Sequence, residues 1–150
     1  VFIYMSYSGK FVPINKNKYK GDWTKIVFRS TWENAAFKWL DMNPDIKYWN
    51  SEEVVIPYIC ATDRKRHRYF VDLYFENIKG KKYLIEIKPN KETKPPKKSV
   101  RRTKKYIREA MTYAKNMSKW EAAREFALDN GCVFFIWTEI ELKSLGIKIM

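Results

Sequence analysis

The sequence is poor in cysteine, glycine and histidine, with two, five and one among 150 residues. Cys60 and Cys132 are far apart and show no CxxC spacing, so reduced thiols in an intracellular protein are expected. No Gly/Ser linker and no internal repeat interrupts the chain, which predicts one domain over residues 1–150, with residues 1–10 peripheral to it. No apolar run approaches the ~20 residues that a spanning helix needs. The opening Val1-Phe2-Ile3-Tyr4 is too short for a signal-peptide core and lacks a basic start. Val1 is an unusual first residue, and Met5-Ser6 offers an internal start. Acids are also scarce: 17 Asp and Glu face 30 Lys and Arg, a formal charge of +13. That excess attracts polyanions, nucleic acid first among them; a membrane surface, or no polyanion at all, are the plainer alternatives.

Apolar residues are plentiful. At 45% hydrophobic and 17% aromatic, the chain has the material for a core, and disorder is excluded. Ser30 and Glu33 have the S-x-x-E form of a capping box, in which the Glu side chain would bond back to the Ser30 amide. Trp32, Ala36, Trp39 and Leu40 then share a helical face that Asn43-Pro44 ends. Strands are predicted at Val54-Val55-Ile56, from Tyr69 to Phe75 and from Tyr83 to Lys88, the last two joined by a turn containing Gly80. A helix from about Val100 to Met117 carries Val100, Lys104, Ile107, Met111 and Ala114 on one face. Ser118 with Glu121 repeats the capping-box form and predicts a further helix closed by Gly131. Cys132 to Trp137 reads as a buried strand, and Thr138 with Glu141 opens a short last helix ending at Gly146. This order predicts an α/β domain with a mixed sheet flanked by helices.

The chemistry concentrates in Leu84-Ile85-Glu86-Ile87-Lys88. On a strand, Tyr83, Ile85 and Ile87 face the core while Glu86 and Lys88 share the other face. A carboxylate and an ammonium so placed can bracket a reacting phosphate, one holding a divalent cation and the other orienting water or neutralising developing charge. Asp72 stands among aromatic and aliphatic residues, where an acid needs a partner. A metal ion is one such partner, and hard oxygen ligands suit Mg²⁺. The bland alternatives are a solvated E-x-K surface pair and an acid at a strand edge.

Asp72 followed by Glu86-Ile87-Lys88 resembles the PD-(D/E)xK nuclease signature, in which a helix with an upstream Glu precedes two catalytic strands. Glu33 stands in that helix, and Val71 replaces the signature's proline. The strings Arg29-Ser30-Thr31-Trp32-Glu33, Leu40-Asp41-Met42-Asn43-Pro44, Ser51-Glu52, Ile56-Pro57-Tyr58, His67-Arg68-Tyr69-Phe70 and Ile85-Glu86-Ile87-Lys88-Pro89 occur in this order. They resemble the head completion nucleases of T-even-type bacteriophages, relatives of the TnsA transposon endonucleases, from about Ser8 to past Pro96 and more weakly beyond. The resemblance implies a restriction-endonuclease-like core and endo- or exonucleolytic hydrolysis of DNA phosphodiesters. It implies Mg²⁺, with Mn²⁺ as a substitute, and the catalytic set Glu33, Asp72, Glu86 and Lys88. Asp72, Glu86, Glu33 and the Ile87 carbonyl would be the metal ligands. Double-stranded DNA and phage head or neck proteins are the implied partners, with no membrane, in the host cytoplasm during phage assembly.

Lys91, Lys94, Lys97, Lys98, Arg101, Arg102, Lys104 and Lys105 lie just downstream of the catalytic strand. They are expected to contact phosphates, with a solvated loop and helix face as the plain alternative. His67, Tyr69 and Trp137 read as strand or core residues rather than as a general base or stacking platforms. Two other functions fit the same residues: a non-catalytic DNA-binding or head–tail joining protein that kept the fold, and a TnsA-like endonuclease that cuts transposon ends.

Overall fold

A computed structural model describes residues 7–98 and 101–149. Helix α1 (Thr31–Met42) starts where the Ser30 side chain accepts the Glu33 amide, and it buries Trp32, Ala36, Phe37 and Leu40 along one stripe. Ahead of it, Gly9–Lys10 (β1) pairs with Val27–Phe28 (β2), and Tyr7 stacks on Phe28.

The main sheet contains Ile46–Asn50 (β3), Leu73–Asn77 (β6), Lys82–Ile87 (β7) and Cys132–Trp137 (β8), in the order β3-β6-β7-β8. Pairing is antiparallel from β3 to β7, and β8 runs parallel to β7. The mixed sheet flanked by helices expected from the sequence is therefore present, in a restriction-endonuclease-like arrangement. Between β3 and β6, Val55–Ile59 (β4) and Arg66–Phe70 (β5) form a separate antiparallel hairpin. The β6–β7 turn is built on Gly80, whose φ of +82° a side chain would disfavour.

The strand β7 is covered on both faces. Ile85 and Ile87 join a core with Trp32, Phe37, Leu40, Trp49 and Trp137. Leu84 points to a second core, where Ile56, Tyr58, Cys60, Tyr69 and Val71 meet Trp120, Ala123 and Ala127 of α2 (Lys104–Asp129). Alternation thus sends Glu86 into the gap between hairpin and α2. Helix α3 (Glu139–Ser144) follows β8 and is opened by a reciprocal capping box between Thr138 and Glu141.

Four expectations change. The strand predicted from Tyr69 to Phe75 is two strands, because Val71 and Asp72 turn the chain out of the hairpin and into the sheet. The strand predicted at residues 54–56 runs on through Pro57, which a two-stranded edge tolerates. The two helices predicted on either side of Ser118 are one helix of 26 residues. No glycine or proline breaks it, and the Ser118 hydroxyl bonds back to the Ala114 carbonyl at 3.1 Å instead of capping. Finally, β8 is an edge strand with Phe135 half exposed, so the run is not uniformly buried. Val100, assigned to the first predicted helix, lies outside the described residues.

These two serines should respond differently. Ser30→Ala removes a true cap and should cost about 1 kcal/mol in urea unfolding. Ser118→Ala should leave the helical signal of the native protein unchanged, and a loss of helix content comparable to a broken α2 would contradict the single-helix structure.

Candidate active site

Three acids arrive at one place from three elements. Glu86 sits near the end of β7 and is 6% exposed. Asp72 occupies the bend just before β6, one register step beyond the Leu73–Ile85 pair, and so lies beside Glu86. Glu33 stands in the first turn of α1 and is also buried. Apolar neighbours such as Trp32, Val71, Leu73, Ile85 and Ile87 place the elements. Each acid is held by a fixed donor.

The Asp72 Oδ2 atom accepts the Ile87 amide at 2.8 Å, which ties the bend to the end of β7. Glu86 Oε1 accepts the Tyr69 hydroxyl at 2.5 Å, so β5 orients the side chain from across the hairpin. Glu86 Oε2 lies 3.5 Å from Lys88 Nζ, and both side chains are largely enclosed. Glu33 accepts the Arg29 amide at 3.0 Å. This corrects the expected capping box: the Ser30 hydroxyl serves the Glu33 amide, but the Glu33 carboxylate reaches one residue past Ser30. Arg29 in turn forms a two-pronged pair with Glu52, at 2.7 and 3.2 Å.

Electrostatics follow from this crowding. Burial pushes the Asp72 carboxyl well above its ordinary pKa, and the charges of Glu86 and Glu33 push it further. The Ile87 amide and Lys88 oppose that shift without cancelling it. Burial likewise raises Glu33, against the Arg29 amide and with Glu52 and Glu86 adding repulsion. Tyr69 is driven strongly upward, first by burial and then by Glu86 and Asp72, so it remains a neutral donor. Crowded, desolvated carboxylates with an incomplete set of protein cations are what a hard divalent ion would relieve, and oxygen donors match Mg²⁺ better than a softer metal. The residues therefore fit the metal that the sequence implied. Among the described residues the tightest metal-ligating group by geometry is a different one, Cys60, Asp63 and His67, within 4.8 Å at the hairpin tip. It mixes a thiol and an imidazole with one carboxylate, and its His67 Nε2 is already bonded to Asp63 at 2.7 Å, so it does not share the acids' chemistry.

The sequence-predicted residues Glu33, Asp72, Glu86 and Lys88 thus gather in one region. The basic set does not converge there in the same way. Lys91, Lys94, Lys97, Lys98, Arg101, Arg102, Lys104 and Lys105 are all exposed, along a loop and the first turn of α2. Lys98 and Arg102 line a groove of about 460 Å³ with Thr62, Tyr106, Ile107 and Met111. His67 is a strand residue paired with Asp63, and Tyr69 and Trp137 are core, as expected.

Two features went unread in the sequence. Tyr69 is buried but also orients Glu86. Lys119 of α2 approaches the acids: its ammonium lies 5.5 Å from the centre of the Tyr69 ring. Burial lowers its pKa, against the charges of Glu86 and Asp72 and with Lys115 and Lys88. The available signal was its place beside the Asn116, Trp120, Ala123 and Ala127 stripe, which keeps it off the helix's solvated face.

Comparison with known proteins identifies the family of the chain. Residues 43–139 match the family model described as TnsA-like endonuclease N terminal. The chain is 47% identical over 148 residues to the head completion nuclease of Enterobacteria phage T4, covering 96% of this chain and 99% of that protein. No solved structure matches.

The raised carboxyls give a signed pH effect. A folded-state pKa above the unfolded one favours folding while the group is protonated, and that contribution is lost as pH rises through the folded pKa. In metal-free buffer Asp72→Asn keeps the acceptor for the Ile87 amide and removes the charge. It should therefore raise the melting temperature at pH 8, with the gain vanishing as pH falls below the ordinary carboxylate range. An Asp72→Asn protein no more stable than the parent at pH 8 would show that neither burial nor the neighbouring acids penalise the Asp72 charge.

Proposed function

The chain belongs to the TnsA-like endonuclease family, and from that premise we propose that it is a metal-dependent deoxyribonuclease that hydrolyses phosphodiester bonds in double-stranded DNA. The observation that carries the reading is the convergence of Glu33, Asp72 and Glu86 beside Lys88, where burial first and the neighbouring carboxylates second raise the Asp72 and Glu33 carboxyls. Asp72 and Glu86, with the Ile87 carbonyl, would hold a Mg²⁺-type ion, with Mn²⁺ as a substitute. Glu33 completes the set directly or through water. A bound divalent ion supplies Lewis-acid charge to the phosphate and acidity to water.

The remaining work falls to the chain's own groups. Lys88 places a fixed positive charge next to Glu86, where it can orient the attacking water and offset the negative charge that grows on the phosphoryl oxygens. The Tyr69 hydroxyl and the Ile87 amide hold Glu86 and Asp72 in place. The exposed basic run grips the DNA backbone. Its placement supports this: Lys104 and Lys105 occupy the first turn of α2, where no acid is present and where positive charge opposes the helix dipole. Lys105 also pairs with Glu109 one turn on, at 3.9 Å, but both side chains are exposed and such a pair adds little. Polyanion contact accounts for them.

The T4 protein's name places such an activity in phage head completion, and we extend that role to this chain: a nuclease acting on DNA with phage head or neck proteins, in the host cytoplasm during assembly. Exonucleolytic action belongs to the same proposal.

Purified protein should nick or degrade plasmid with Mg²⁺ and not with EDTA. Asp72→Ala and Lys88→Ala should each abolish cleavage, and Glu33→Gln should lose most of it while keeping thermal stability. Cleavage unaffected by EDTA, or wild-type rates in the Asp72 and Lys88 variants, would defeat the mechanism. Neutralising Lys97, Lys98, Arg101 and Arg102 together should flatten the salt dependence of DNA binding by about 0.9 in log–log slope per lost phosphate contact. An unchanged slope would leave this run as a solvated face.

A further inference from the structure

We propose that Lys119 is a substrate-contacting residue of the same site, whose ammonium takes a non-bridging oxygen of the DNA phosphate next to the bond that is cut. The inference rests on the nuclease reading and extends it to a residue outside the E-x-K motif and outside the basic run.

Lys119 is one residue ahead of Trp120, which α2 buries completely against the hairpin. Trp120 therefore fixes the phase of the helix, and Asn116 on the preceding turn is buried too. Lys119 has to lie on the margin of that buried stripe, where α2 faces β5 and the end of β7. Its ammonium stands over the Tyr69 ring at 5.5 Å. The hydroxyl of that same tyrosine bonds Glu86. The attachment of α2 at this point is direct: the Ala61 amide at the hairpin tip donates to the Ser118 hydroxyl at 3.1 Å.

What Lys119 lacks is as informative as where it lies. Among the described residues it makes no ion pair within 4.0 Å, and Glu86 has already given one oxygen to Tyr69 and the other to Lys88. A half-buried ammonium with only an aromatic face for a partner has lost hydration without regaining a charge-assisted bond. A structural lysine would turn to solvent, as Lys115 does one turn earlier on the same side of α2. An anion entering the gap between α2 and the acids supplies the missing partner. A phosphodiester already held by Lys88 and a metal at the acids brings its neighbouring oxygens toward Lys119. Lys115 then continues the positive margin along α2.

The test uses the full-length protein and a duplex oligonucleotide. Lys119→Met keeps the apolar stem against Tyr69 and deletes the charge, and Lys119→Arg restores it. Three readouts separate the roles: steady-state cleavage with Mg²⁺, the salt dependence of duplex binding in Ca²⁺, and Mn²⁺ affinity by calorimetry without DNA. Lys119→Met should lose kcat/KM by on the order of 100-fold and flatten the salt slope by about 0.9, one phosphate contact. Its melting temperature and Mn²⁺ affinity should stay near the parent's, and Lys119→Arg should recover most of both losses. A parent-like salt slope in Lys119→Met overturns the proposal, whether activity is kept or lost through weaker Mn²⁺ binding. If the parent protein itself shows no Mg²⁺-dependent cleavage, the nuclease reading fails, while the slope still decides whether Lys119 meets a phosphate.

Discussion

Repulsion among Glu33, Asp72 and Glu86 is the constraint around which the rest of this structure is arranged. Bringing three carboxylates out of water and toward one another is unfavourable, and in a flexible region they would swing apart. Here every acid is tied to a donor that cannot move far. The Ile87 amide belongs to the central strand, the Arg29 amide to the entry of α1, and the Tyr69 hydroxyl to a side chain buried on all sides. The stability that tolerates this arrangement comes from elsewhere: the two apolar clusters on either face of β7, one anchored by the fully buried Trp32 and Trp49 and the other by Trp120. A site held apart from its own electrostatic preference needs that kind of frame.

The topology makes the frame specific. β7 is bonded to β6 antiparallel and to β8 parallel, and past Ile85, where the β6 ladder stops, the Asp72 carboxylate takes over by accepting the Ile87 amide. The separate β4–β5 hairpin is what lets a second, non-neighbouring strand contribute. It leaves the sheet plane, packs on α2 and delivers Tyr69 to Glu86 from the opposite side. Had residues 66–77 formed one straight strand along β7, a backbone carbonyl of that strand would have taken the Ile87 amide. Breaking the strand at Val71–Asp72 leaves that amide to the Asp72 carboxylate.

That break also shows what a sequence can and cannot reveal. The S-x-x-E at Ser30, the glycine turn at Gly80 and the alternation through Glu86 and Lys88 are local patterns with local physical causes, and they located α1, the β6–β7 hairpin and the E-x-K pair. The Thr138–Glu141 box worked for the same reason. The identical pattern at Ser118 misled, because a serine inside a continuous helix bonds back to its own turn, and only tertiary packing of Trp120, Ala123 and Ala127 decides that the helix continues. β3 carries no strong alternation and exists because β6 pairs with it. Lys119 was invisible for a related reason: its role depends on which face of α2 the hairpin covers. Glu33 was found, but its bond partner was missed by one residue, a distance that sequence spacing cannot resolve.

The charge distribution completes the argument. A chain of net charge +13 places its exposed bases on the loop after β7 and on α2, while it buries acids at the spot where DNA would be cut. When ionised, those acids repel the phosphate that the surrounding bases attract. On the proposed reading a divalent ion reverses the sign at the acids, so metal and DNA must favour one another's binding, each raising the affinity for the other by the same factor. Without the ion, the basic surface still holds the polyanion but keeps it off the carboxylates. On that same reading the acids also guard against DNA settling there unproductively, and Lys119, standing between the acids and the basic margin of α2, is where the two opposing fields meet.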